Sequence, residues 1–140
     1  MKAILKKILV GDANIDVALL ALRVMAAVAL LKAHGLPKLL NIQDAMAHIP
    51  DPLGFGSTFS TYYAIFANVF CALFVAFGFF TRVSALFIIS LTLTGLFVVH
   101  LTDPANLQDT PLIYSIVFGF IAYVGAGKYS IDYKIFKSQK

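Results

Sequence analysis

The chain has 140 residues, of which 60% are hydrophobic and 13% charged, against about 25% charged in a soluble globular domain. That balance excludes a soluble fold, disorder and a coiled coil, and with a mean hydropathy of +0.87 and long apolar runs it makes lipid the natural solvent. The net charge of +4 comes from Lys and Arg at the termini and segment ends rather than in a stripe, so nucleic acid is not an expected partner.

Four stretches approach the roughly 20 apolar residues a membrane helix needs, and the spans are drawn at 16–34, 60–80, 83–101 and 111–126. The expected fold is all-α: one domain over 1–140, an integral membrane bundle of four antiparallel helices. The first stretch follows Lys2, Lys6 and Lys7. Lys32 interrupts its exit and no Ala-x-Ala site follows, so it reads as a retained helix rather than a signal peptide. Between spans one and two, Leu36 to Ile49 has the pattern of a short interfacial helix, ended by Pro50 and Pro52. Spans two and three are joined by a turn at Thr81-Arg82. The short polar connection 102–110 carries Asp103 and Asp109, and Pro111 is expected in the first turn of span four. Gly125 and Gly127 stop that span, Ser130 can cap, and Ile131 to Lys137 can lie along the interface.

The positive residues Lys2, Lys6, Lys7, Arg82, Lys128, Lys134, Lys137 and Lys140 fall on one side, against Lys38 on the other. This excess places both termini and the Thr81-Arg82 turn in the cytoplasm. Small residues recur as Ala64, Asn68, Ala72 and Ala76 on span two, and as Ser115, Gly119 and Ala122 on span four. Such faces let helix backbones approach and are expected to point inward.

Ionisable groups inside a span cost roughly 2.5 to 3.5 kcal/mol on insertion scales, so each carries a functional expectation. At 100° per residue Arg23 and His34 differ by about 20° and share a face, while Lys32 lies about 180° from Arg23 and can snorkel as an anchor. Arg23 calls for an anionic ligand or for carbonyl and hydroxyl oxygens. The chain has no Glu, and no Asp falls deep within a span. His34 and His100 both end at the outer face, level with Lys38, Asp103, Asp109, Tyr62 and Tyr63, with Asn68 just beneath. One reading is an interfacial belt of His and Tyr among headgroups. A sharper one is a pocket for a ring with two carbonyls, such as a quinone, with donors from His34, Lys38 and Asn68 and walls from Phe66, Phe70 and Phe97. Two isolated histidines are a weak basis for haem, and a metal at His34, His100 and Asp103 has no stronger one. The lone Cys71 excludes a dithiol relay and reads as a packing residue.

The chain resembles the DoxX family of small four-helix membrane proteins. The matching pieces are Leu22-Arg23-Val24 leading to His34-Gly35-Leu36-Pro37-Lys38-Leu39, Gly78-Phe79-Phe80-Thr81-Arg82 with Ala85, His100-Leu101, and Gly125-Ala126-Gly127-Lys128-Tyr129-Ser130-Ile131-Asp132. Asn68 stands where the family commonly has Glu, ten residues before the Gly of the Gly-x-Phe-Thr-Arg turn. The polar position is kept without its charge. The resemblance implies a redox-linked subunit of the bacterial inner membrane, similar to the small membrane subunit of a thiosulfate:quinone oxidoreductase, with partners supplying the electrons.

The expected function is a multi-pass inner-membrane subunit, in contact with lipid, that binds a small ligand such as a quinone near its outer mouth. Arg23, His34, Lys38, Asn68 and His100 are the expected binding residues, with Tyr62 and Asp103 as secondary candidates. Its expected partner is a protein of a redox complex or a further copy of itself. Catalysis by this chain alone is not expected. The alternatives are a non-catalytic assembly subunit and a small oligomeric transporter, the last disfavoured because no span holds a carboxylate.

Overall fold

The computed structural model describes residue 11 and residues 14–137. Lys2, Lys6, Lys7 and Lys140, which carry part of the orientation argument, lie outside the described residues, as does the side chain of Lys137. Among the described residues every regular element is helical. The first stretch is α1 (Ile15–Leu30), a π-helical turn π1 (Leu31–Gly35) and α2 (Leu36–Leu40). It begins where the Asn14 side chain accepts from the Asp16 and Val17 amides, satisfying two of the free donors of a first turn. After a break at Asn41 comes α3 (Ile42–His48), so the connection holds two short helices rather than one.

The second stretch runs through α4 (Ser57–Ile65), π2 (Phe66–Cys71) and α5 (Ala72–Phe77). The third is α6 (Thr81–Thr94) with π3 (Gly95–Val99). The fourth is α7 (Ala105–Val124), followed by α8 (Ile131–Lys137). Residues 57–77, 81–99 and 105–124 are each long and apolar enough to cross a membrane, as expected of a multi-pass membrane protein. Successive long stretches run in opposite directions. Residues of 30–38, 59–68, 91–100 and 107–114 line one cavity, whereas Asp16, Thr81, Arg82 and Lys128 meet around a groove at the other end.

Three boundaries differ from expectation, each for a local reason. The turn between the second and third helices is Gly78 to Phe80, and Thr81 and Arg82 already belong to α6. Gly78 and Phe80 both take left-handed conformations there, and the side chain of Asp132, 52 residues on, caps α6 by accepting from the Phe80 and Thr81 amides at 2.7 and 2.9 Å. A cap borrowed from a distant segment leaves no local signature. The fourth helix starts at Ala105, so Asp109 lies within it and Pro111 sits inside the helix rather than in its first turn. The helix starts directly after Pro104, and Pro111 removes only one internal hydrogen bond. The end is as expected, with Gly125 at φ 95° closing α7.

The core is built from Ala27, Leu30, Cys71, Ala72, Val75, Ala85, Ile88, Phe118 and Ile121. Ala64, Asn68 and Ala72 are buried and Ala76 packs against the core, so the small face of the second helix points inward. On the fourth helix Ser115 bonds Thr92 and Ala122 packs against the core, but Gly119 does not follow. The deepest residues of this helix are Phe118 and Ile121, while a Cβ on Gly119 would meet nothing within 4 Å. The reason is that α6, its main neighbour, presents small Ser84 and Ala85, and large side chains from α7 fill that space.

At Gly78 two requirements coincide, a φ of 70° and contact with Arg23 and Ser130. A Cβ there would overlap Arg23 Nη1 and the Ser130 side chain. Gly78→Ala is therefore expected to lower stability by about 3 kcal/mol or more and to cut the yield of folded protein. Gly119→Ala, with open space around it, is expected to stay within about 0.5 kcal/mol of the parent. Thermal unfolding of both variants in the same detergent checks the contrast.

Candidate ligand-binding site

A cavity of about 440 Å³ lies at the end of the bundle where the first and third helices finish. That volume falls within the range of small-molecule pockets. All three π-helical turns sit at this level: π1 carries His34, π2 carries Asn68, and π3 runs from Gly95 to Val99 just before His100. A π-turn inserts one residue into the helical repeat, so it redirects the side chains around it and loosens the backbone hydrogen bonds, and such turns are frequent at functional sites. The first two turns touch. A Cβ on Gly35 would lie 2.6 Å from the Asn68 carbonyl oxygen, so the backbones approach through the missing side chain.

The walls are mostly apolar, from Leu30, Ile49, Pro50, Leu53, Phe55, Phe59, Leu91, Val99, Leu107 and Tyr114, with a few polar groups converging among them. The His34 ring meets Tyr114 edge to face at 5.6 Å. Lys38 Nζ donates to the His34 carbonyl oxygen at 2.9 Å, which keeps one of its N–H groups occupied and the ammonium beside the ring. Asn68 is almost fully buried and belongs to the cavity lining. His100 Nδ1 pairs with Asp103 Oδ2 at 2.7 Å, both partly exposed, and Gln108 Nε2 donates to the Asp103 carbonyl oxygen. The Thr92 and Ser115 hydroxyls share a hydrogen bond of 2.7 Å, and Ser115 also donates to the Pro111 carbonyl oxygen. That carbonyl belongs to a cavity-lining residue.

Four of the five residues expected to bind, His34, Lys38, Asn68 and His100, therefore line one cavity, and Asp103 is joined to it through His100. Arg23 lies at the opposite end of the bundle. It has no exposed surface, and it donates to the Tyr129 carbonyl oxygen at 2.7 Å and to the Val75 carbonyl oxygen at 3.4 Å. These are contacts with carbonyl oxygens, one of the two kinds of partner its position calls for. Tyr62 is exposed and Phe66, Phe70 and Phe97 point outward rather than into the cavity. At 100° per residue Phe66 and Phe70 each stand about 160° from Asn68, so the turn of helix that brings Asn68 to the cavity carries both rings away from it.

Two contributors were not singled out from the sequence. Tyr114 meets His34, and the segment 49–59 covers the cavity mouth. Asp51 shapes that segment by accepting from the Phe55 amide (3.2 Å), the Gly56 amide (2.7 Å) and Ser60 Oγ (2.9 Å). The run Asp51-Pro52-Leu53-Gly54-Phe55-Gly56 was a legible signal, because Asp that bonds its own downstream backbone, followed by Pro and Gly, is turn chemistry. A second, more open groove at the other end is lined by Phe80, Arg82, Lys128 and Phe136. Its cations are engaged, Arg82 with the Tyr123 carbonyl oxygen and Lys128 with Asp16 at 3.0 Å. Among the described residues no group of three or more His, Cys, Asp or Glu could hold a metal ion.

The DoxX family model matches residues 18–101 of the chain. No curated protein and no solved structure matches it. The match spans the first, second and third helices with the connection that covers the cavity, and ends just after His100.

Asp51 supplies a pH test of the cover. The hydrogen bond from the Gly56 amide, with those from Ser60 and Phe55, holds its carboxyl below the ordinary carboxylate range. A lowered folded pKa means that this contribution is complete above the ordinary value and is lost as pH falls through the lower, folded one. Protection of the Phe55 and Gly56 amides, taken relative to their intrinsic exchange rate at each pH, is expected to fall on acidification through that range. In Asp51→Asn this protection is expected to be low already at neutral pH and unchanged by acid, which hydrogen-exchange mass spectrometry checks.

Proposed function

The chain belongs to the DoxX family, and we propose that it is a redox-linked membrane subunit whose cavity binds a small oxygenated ring such as a quinone. The single observation that carries this reading is the convergence of His34, Lys38, Asn68 and His100 on one mostly apolar cavity of about 440 Å³. A quinone needs apolar walls for its ring and N–H donors for two carbonyl oxygens. His34 and Asn68 stand on the two π-turns that touch, and Lys38 and His100 flank them. Charge that builds on the ring oxygens during reduction would be stabilised by these donors in a water-poor site. Electrons would come from a partner protein or a soluble donor, because the chain holds only one cysteine and no dithiol to relay them. His34 and His100 are the groups able to pass protons. Asn68 in the place of the common family Glu makes this position a neutral donor rather than a proton carrier.

The same reading takes 15–34 as a fourth crossing, with both termini in the cytoplasm and the cavity at the outer face of a bacterial inner membrane. The supports are the positive-residue excess at the Arg82 and Lys128 end and the packing of α1 along α5. A cysteine at an exposed site near Lys128 is then labelled by an impermeant maleimide only after the membrane is opened, and one in the 49–59 segment is labelled in intact cells. The reverse pattern would overturn the orientation.

A second reading, a non-catalytic assembly subunit in a redox complex or homo-oligomer, is favoured by α7, which leaves Leu112, Ile113, Ile116, Phe120 and Tyr123 exposed on its outer side. The two differ in what His34 and Asn68 do. On the ligand reading, His34→Ala and Asn68→Ala each weaken quinone binding by roughly tenfold without changing the melting temperature by more than a few degrees. Binding to the purified protein, followed by quinone absorbance after equilibrium dialysis, checks it. Unchanged binding in both variants would move the assignment to assembly.

A further inference from the structure

Phe66 and Phe70 do not line the cavity, yet they are not scattered surface residues. An unbroken sequence of ring contacts runs from the cavity mouth down the outside of the second helix. Phe55 meets Phe59 at 5.5 Å, Phe59 stacks on Tyr63 at 6.1 Å, and Tyr63 meets Phe87 edge to face at 6.4 Å. Phe87 in turn meets Phe66 at 5.4 Å, and Phe66 stacks on Phe70 at 6.3 Å. Phe55, Phe59 and Tyr63 belong to the cavity wall, while Phe66, Phe70 and Phe87 are exposed on the membrane-facing surface. The strip is thus continuous with the site and leaves it sideways, between the second and third helices.

Two features distinguish this strip from an ordinary lipid-facing surface. Positions 59, 63, 66 and 70 repeat at helical spacing, so four aromatic rings stand in one row along about 16 Å of helix. Where the row leaves the cavity, the Tyr63 hydroxyl bonds Ser90 Oγ, and Ser90 also donates to the Phe87 carbonyl oxygen. A tyrosine that is cavity wall on one side and ring partner of Phe87 on the other marks the threshold between the two environments. The opposite exposed surface, on α7, carries mainly aliphatic residues with no comparable row of ring contacts.

We infer that this aromatic row is the seat of the apolar tail of the cavity's ligand, which enters from the bilayer between the second and third helices. The inference rests on the ligand reading of the cavity and narrows it to an amphiphile: a polar ring that accepts hydrogen bonds, carrying an unbranched or isoprenoid-like hydrocarbon chain. Flat ring faces offer a hydrocarbon chain more contact per residue than branched side chains do, and in a membrane dispersion contact is what separates one apolar surface from another. Head and tail then divide the work. The cavity residues recognise oxygen atoms, and the row sets which tail lengths are retained.

The experiment compares two probes, a dimethoxybenzoquinone without a tail and the same ring bearing a decyl chain, on full-length protein in one detergent. Three proteins are used: the parent, Phe66→Ala/Phe70→Ala/Phe87→Ala, and a control, Ile116→Ala/Phe120→Ala, altered on the exposed face of α7. The triple variant is expected to bind the decyl probe roughly tenfold more weakly than the parent and the tailless probe within about twofold, with the control unchanged for both. Taking the ratio of variant to parent removes the partition of each probe into detergent. Undiminished decyl binding in the triple variant, or an equal loss in the control, would overturn the tail seat while leaving the head site standing. Failure of the parent to bind either probe would instead overturn the ligand reading, and the tail seat with it.

Discussion

A guanidinium with no exposed surface holds one end of this bundle together. Arg23 on the first helix donates to the carbonyl oxygen of Tyr129, beyond the fourth helix, and to that of Val75, near the end of the second. Three segments far apart in sequence are tied at one charge. Asp132 lies close enough to attract it electrostatically, while the Asp132 carboxylate caps α6 and its amide donates to the Gly78 carbonyl oxygen. Lys128 donates through both its backbone and its side chain to Asp16, in the first turn of the first helix. A buried charge left without its partners costs about 3 to 5 kcal/mol, so the pieces of this knot cannot vary independently. The glycine at 78 is required because Arg23 and Ser130 occupy the place of its side chain.

Closing one end in this way leaves the other free to open. Away from Arg23 the pitch of the helices is interrupted by three π-turns, and the space between the helices is the cavity. The segment over its mouth is organised by Asp51 rather than by packing into the core, since Leu53, Phe55 and Phe59 remain exposed. With few buried apolar contacts, such a segment belongs to the low-stability part of a fold. The family match therefore joins two different kinds of feature: a structural lock around Arg23 and Gly78, and a candidate site around His34, Asn68 and His100.

Much of this was legible from composition and spacing. Hydropathy drew the long helices to within a few residues, except at the start of the fourth, because lipid demands one kind of residue for one length of helix. Ser130 as a cap and Ile131–Lys137 as a helix followed from local chemistry. The gathering of His34, Lys38, Asn68 and His100 followed from depth alone, since alternating helices bring the ends of the first and third to one level. What failed was combining depth with angle. Arg23 and His34 do share a face, but eleven residues separate them by about 16 Å along the axis, so a shared face did not mean a shared site. Phe66, Phe70 and Phe97 were chosen by depth and residue type, although at 100° per residue Phe66 and Phe70 stand about 160° from Asn68. The role of Asp132 as cap for a helix 51 residues away has no sequence pattern, because the two segments meet only in the folded bundle.

The central claim is that Arg23 serves the fold at one end while binding belongs to the other. Regional hydrogen exchange of Arg23→Gln against the parent, each with and without a tailed quinone, tests it most directly. The account predicts faster exchange in Arg23→Gln across residues 78–82 and 128–136, little change across 49–68, and protection of 49–68 by the quinone in both proteins. Loss of quinone protection in Arg23→Gln with exchange at 78–82 and 128–136 unchanged would contradict it, and would make Arg23 a ligand-binding residue rather than the lock of the bundle.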